Sequence, residues 1–136
     1  METNRSMSKI TLVTYLVRNY DEAITWFSKA LNFKLFEDTD MGAGKRWVVM
    51  GPDSDHGARF LLAEAATPDQ ASHIGKAAGG RVAFFLQTDD FARDETRMRT
   101  AGVHFLETPR FETYGTVAVF EDLCGNRWDL LEPRTD

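Results

Sequence analysis

The sequence predicts an α+β domain of two βαβββ modules whose sheets form a cup. Three observations carry that prediction. Between Lys9 and Glu64 the hydrophobic pattern reads strand, helix, strand, strand, strand. Shifted by seventy positions, so that Leu12 lies on Val82, residues 12–38 overlie residues 82–108 without a gap. Near the end of the chain, two alternating runs flank a turn at 122–126 rich in Asp, Gly and Asn, which is how a hairpin is written.

Residues 9–17 mix apolar and polar side chains as a strand does. Asn19 then precedes a segment, 20–31, with helical spacing at Ala23, Phe27, Ala30 and Leu31. Asn19 can accept the N–H of Glu22 while Glu22 reaches back, a variant of the capping box, and Asn32 suits the left-handed residue that ends a helix. Residues 33–37 read as the second strand, 46–50 as the third, and 59–63 as the fourth, after a turn at 51–57. The stretch 65–80, with Pro68, Gly75, Gly79 and Gly80, reads as a connector with room for a turn of helix, and its length makes it a lid candidate.

In the second half the shift places Asp89 on the cap Asn19, Gly102 on Asn32, Phe105 on Leu35 and Glu107 on Glu37. The second helix, 91–101, is the more charged of the two, with Phe91, Met98 and Ala101 as its apolar stripe. A two-residue gap in the turn lays 59–64 on 127–132, which makes Leu61 the counterpart of Asp129. The organisation is thus a loose leader (1–8), a first module (9–64), a connector (65–80) and a second module (81–133) within one structural domain.

Composition narrows the function classes. A formal charge of −5 without a cationic cluster argues against nucleic acid as a partner. No apolar run is long enough to span a membrane, and the first residues lack the apolar core of a signal peptide. A single cysteine, Cys124, excludes an intrachain disulfide and any Cys-rich metal site, which fits a reducing cytoplasm.

The doubled pattern, with residues 17–31 (VRNYDEAITWFSKAL) and 114–132 (YGTVAVFEDLCGNRWDLLE), resembles the vicinal oxygen chelate superfamily of glyoxalases, bleomycin-resistance and fosfomycin-resistance proteins and extradiol dioxygenases. In its metal-dependent members, the resemblance implies, an ion sits in the cup on His and Glu side chains from the first and fourth strands of each module. Those positions here are Leu12, Leu61, Ala83 (Val82 if the register slips by one) and Asp129. A catalytic metal needs about three protein donors, so no metal or other cofactor is expected. His56 falls in a turn, His73 in the connector and His104 on a strand whose counterpart is Lys34, none at a cup-facing ligand position. Cys124 and Leu123 stand where the family turn often has Asp and Pro.

Strand alternation from position 12 aims Thr14 and Leu16 into the cup, and likewise Arg59, Leu61 and Ala63, then Ala83, Phe85 and Gln87, then Arg127, Asp129 and Leu131. The lining is apolar with Thr14, Gln87, Arg59, Arg127 and Asp129 as polar points; Trp47 and Tyr114 add aromatic surface, although Trp47 is equally well explained as core. Two readings follow. One is a metal-free binding protein for a small organic molecule, completed by homodimerisation. The other is a lyase, transferase or dioxygenase acting on a vicinal-oxygen substrate, with Asp129 as general base or sole carboxylate on a divalent ion. Against both stands a plain pairing of Asp129 with Arg127, Arg59 or solvent.

Overall fold

Strand β1 (Leu12–Val17) lies parallel to β4 (Arg59–Glu64), and β4, β3 (Lys45–Gly51) and β2 (Lys34–Gly42) continue the sheet antiparallel in the order β1-β4-β3-β2. This computed structural model describes residues 7–135; positions 1–6 of the expected leader lie outside them. Helix α1 (Tyr20–Ala30) starts where Asn19 Oδ1 accepts the Glu22 N–H (2.9 Å) and stops at Asn32, whose φ is +56°, as its sequence requires. The β2–β3 hairpin is longer than the sequence pattern marks. Positive φ at Gly42, Ala43 and Gly44 makes a tight turn that lets both strands run on.

The connector carries a short helix α2 (Pro68–Ser72), capped by Thr67. The second sheet follows, with β5 (Val82–Gln87), helix α3 (Phe91–Thr100), β6 (His104–Phe105), β7 (Arg110–Glu112), β8 (Gly115–Glu121) and β9 (Arg127–Pro133). Its order is β5-β9-β8-β6, with β7 also paired to β8. The strand expected opposite 33–37 is reduced to β6, and β7, which the repeat did not mark, follows Pro109; between them the Glu107 carboxylate accepts the Val119 amide (2.9 Å).

The seventy-residue repeat holds at its ends and slips by one in between. Leu12 pairs with Arg59 as Val82 pairs with Arg127, but a β-bulge between Val82 and Phe84 makes Phe85, not Phe84, the counterpart of Thr14. The cap of α3 is accordingly Asp90, which accepts the Arg93 N–H at 3.1 Å, rather than Asp89. Helix α3 is one residue shorter than α1, 10 against 11, which restores Gly102 (φ +90°) opposite Asn32. Ala101 is exposed; the buried stripe of α3 is Phe91, Asp94 and Met98.

The helix-facing sides of both sheets share one core. The Tyr15 ring of the first module lies 5.3 Å from Phe27 and 5.8 Å from Phe84, and Phe60 packs 5.8 Å from Trp128. Each large side chain buried there contributes about 1.5–3 kcal/mol. A polar knot completes the seam. Buried Asp122 accepts from Tyr15 Oη (2.5 Å), Trp128 Nε1 (2.9 Å) and the amides of Cys124 (2.9 Å) and Asn126 (3.0 Å). Asn126 donates to Tyr15 Oη (3.1 Å) and accepts the connector's Ala77 N–H (3.0 Å). Burial first, then the charge of Asp122, holds the Tyr15 phenol well above its ordinary pKa, so it remains a donor. The last hairpin turn therefore ties the first strand, the connector and the final strand together. Among the described residues no helix is long and apolar enough to cross a membrane.

Candidate functional site

Alternation commits Tyr15, Val17 and Leu62 to the core and turns Thr14, Leu16, Arg59, Leu61 and Ala63 to the opposite, open face of the first sheet. Two cavities lie on this face. One, of about 610 Å³, is lined by Leu12, Glu37, Trp47, Val49, His56 and Arg59 among others. The second, of about 450 Å³, includes Thr14, Trp47, Leu61, Ala63 and, from the connector, Gln70. Half-buried Trp47 walls both, so it serves the open face rather than the core. The connector borders one end of this face through Ala65, Ala66 and Gln70.

On the open face of the second sheet Phe85 pairs with Asp129, Gln87 with Leu131 and Val82 with Arg127. Phe85 is 68% exposed. Asp129 is half-buried, and its Oδ1 is shielded from solvent without a hydrogen-bond partner. Burial pushes its pKa up; Arg110 pulls it down less strongly and Glu107 adds to the rise. Neither Arg127 nor Arg59 bonds to it, which leaves solvent as its plain partner, and the cation whose charge acts on it, Arg110, is held by Glu107 (3.1 Å) and Glu112 (2.7 Å). Tyr114, exposed just ahead of β8, is a further group that keeps the Arg110 guanidinium charged.

The predicted site residues thus gather in two groups. Thr14, Trp47 and Arg59 share the cavities of the first sheet, whereas Phe85, Gln87, Arg127 and Asp129 share the face of the second, and Asp129 lines none of the cavities just described. Sequence reasoning missed Phe36, which a β-bulge in β2 turns toward Arg59, and His56, whose turn position hid its place on the rim of the larger cavity. Spacing within a loop gives no face, so nothing in the sequence marked it.

The residues present do not fit the metal that the fold family implies. The register of β5 against β9 puts Val82 at the position of Leu12, so three of the four ligand positions are the apolar Leu12, Leu61 and Val82, and Asp129 stands alone. No group of three His, Cys, Asp or Glu side chains is gathered among the described residues. His73 sits 2.7 Å from the Asp69 carbonyl in the connector, and His104 sits 3.3 Å from Glu121.

Residues 9–130 match the Glyoxalase/Bleomycin resistance protein/Dioxygenase superfamily. The chain belongs to this superfamily. An uncharacterised relative from Shewanella frigidimarina (strain NCIMB 400) is 50% identical over 124 residues, covering 90% of this chain and 92% of that protein. The superfamily fold recurs in the crystal structure of UcmS2, with 26% identity, a TM-score of 0.78, and coverage of 93% of this chain and 98% of that one. It recurs also in TnmS3, an antibiotic binding protein from Streptomyces sp. CB03234, at 22% identity and a TM-score of 0.74 over 96% of this chain and 100% of that one. At 22% the second likeness is one of fold.

Proposed function

We propose that this superfamily member binds a small, partly aromatic organic molecule on the open face of its first sheet without a metal ion. The observation that carries the reading is the pair of cavities walled by Trp47, the smaller mainly apolar with Leu61 and Ala63 beside Thr14, the larger mixed, with Leu12 and Val49 among charged groups that include Arg59 and Glu37. Both volumes lie in the range of small-molecule sites, and the smaller cavity has the mainly apolar wall usual for them. The antibiotic-binding TnmS3 of the same fold supports it. A second copy of the chain completes the cleft by bringing exposed Phe85 and the unpartnered oxygen of Asp129 against a ligand, and the single free cysteine fits a reducing cytoplasm. Thermal-shift screening with small aromatic compounds should raise the melting temperature, because a ligand selective for the folded state stabilises it. Trp47→Ala should erase the rise while the fold persists. A broad library without a hit overturns the reading.

Asp129 favours one second reading. A carboxylate with a buried, unpaired oxygen and a raised pKa is suited to proton transfer, so Asp129 would serve as general base on a substrate held at the second sheet. Turnover of a vicinal-oxygen substrate that Asp129→Asn abolishes would support it; turnover unchanged by Asp129→Asn removes the residue from the chemistry.

A further inference from the structure

Arg59 has its flat face occupied and its hydrogen-bonding edge open. Across the β3–β4 pairing, where Met50 meets Phe60, Arg59 lies beside Gly51, and a Cβ on Gly51 would stand 3.2 Å from Arg59 Cγ. The missing side chain lets the arginine stem lie across the sheet. Its guanidinium carbon then sits 3.4 Å from the centroid of the Phe36 ring. Stacking of this kind fixes the plane of the fork and leaves its N–H edge for a planar partner.

Among the described residues no carboxylate lies within ion-pair distance of Arg59, half-buried though it is in the lining of the larger cavity. The neighbouring charges are otherwise occupied or outlying. Lys34, 5.3 Å from the same Phe36 ring, pairs with Asp53 (3.9 Å). Glu37 accepts from Thr39 Oγ1 (3.2 Å), and Asp55 is exposed in the turn that also carries His56. Lys9 lies on the same lining. The carboxylates of Glu37 and Asp55 oppose a multiply charged anion, which makes a monoanion the better fit.

We infer that this cavity takes an aromatic monocarboxylate, its anion bidentate on the Arg59 fork and its ring against Trp47. The inference rests on the binding reading above and adds the chemical class of the ligand. Calorimetric titration at low salt with 2-naphthoate, its neutral carboxamide and 2-naphthyl phosphate separates the two claims. The intact protein should bind 2-naphthoate about tenfold more tightly than the carboxamide, the margin of a charge-assisted bidentate contact. Arg59→Gln should bring acid and carboxamide to equal affinity, and Arg59→Lys should keep part of the margin. Equal binding of acid and amide overturns the carboxylate and leaves the binding function standing, as does a margin that survives in Arg59→Gln. Tighter binding of the phosphate also overturns the monoanion. Failure of all three probes to bind overturns the inference, whereas the binding reading falls only with the broad library.

Discussion

Asp129 and Asp94 show how two carboxylates of one chain acquire opposite behaviour. Burial raises the pKa of Asp129 above its ordinary 3.8, so the folded state holds a proton that the unfolded state has released, and stability falls as pH rises from 3.8 through the folded value. Asp129→Asn should therefore leave the protein slightly more stable at neutral pH, by less than about 1 kcal/mol after solvent screening, with the gain vanishing below the unfolded value. Chemical denaturation at two pH values measures it. For Asp94, burial also pushes the pKa up, but hydrogen bonds from Arg93 and Thr88 and the charge of Arg97 outweigh it and hold the group below 3.8. Its stabilisation is present above 3.8 and is lost as pH falls through the folded value. Asp94→Ala should cost about 2 kcal/mol at neutral pH and far less in acid, since Thr88, Arg93 and Arg97 lose a buried partner. The charged helix was legible in the sequence, but the inward turn of one of its acids was not: spacing puts residue 94 on the stripe of Phe91 and Met98, yet an acid does not register in an apolar pattern.

At the scale of elements, the caps of the first helix, the last hairpin and the strand–helix order could be read directly, since each rests on local chemistry that one short stretch contains. Asn19, Asn32 and the turn ending at Asn126 needed no tertiary knowledge. The bulge at Val82–Phe84 and the division of β6 from β7 depend on how β9 and β8 pair with them, and no single segment encodes that. The connector was legible as a connector but not as a docked element. Its docking hangs on Gly75, where an added Cβ would come 2.1 Å from the Cys124 carbonyl oxygen. Gly75→Ala should therefore lift the connector from the Asp122 knot, and the Ala77 amide, which donates to Asn126, should exchange with solvent much faster. Gly79→Ala is the control: its φ of +60° makes alanine unfavourable by about 1 kcal/mol, yet nothing lies within 4 Å of the new Cβ, so the Ala77 amide should keep its protection.

For the whole molecule, the decisive fact is that one core absorbs the helix-facing sides of both sheets and leaves their opposite faces outward. Alternation was enough to assign Thr14, Arg59, Phe85 and Asp129 to those faces. Whether the two faces share a cavity is a matter of how modules pack, which strand periodicity does not carry. Phe85, 68% exposed beside half-buried Asp129, is an aromatic on a sheet face that one chain leaves uncovered. The second copy proposed above would cover this exposed ring beside Asp129. Sedimentation at micromolar concentration should show a dimer, and Phe85→Glu should dissociate it, because a carboxylate facing an apolar contact and Asp129 is both desolvated and repelled. Phe85 makes no part of the aromatic core, so the variant monomer should keep its unfolding free energy within about 0.5 kcal/mol. Ligand affinity decides whether the copies share the site. If the cleft draws on both, affinity should fall in parallel with dimer population across a dilution series; an affinity indifferent to dilution confines the site to the first sheet, and a wild-type protein that sediments as a monomer removes the second copy from it.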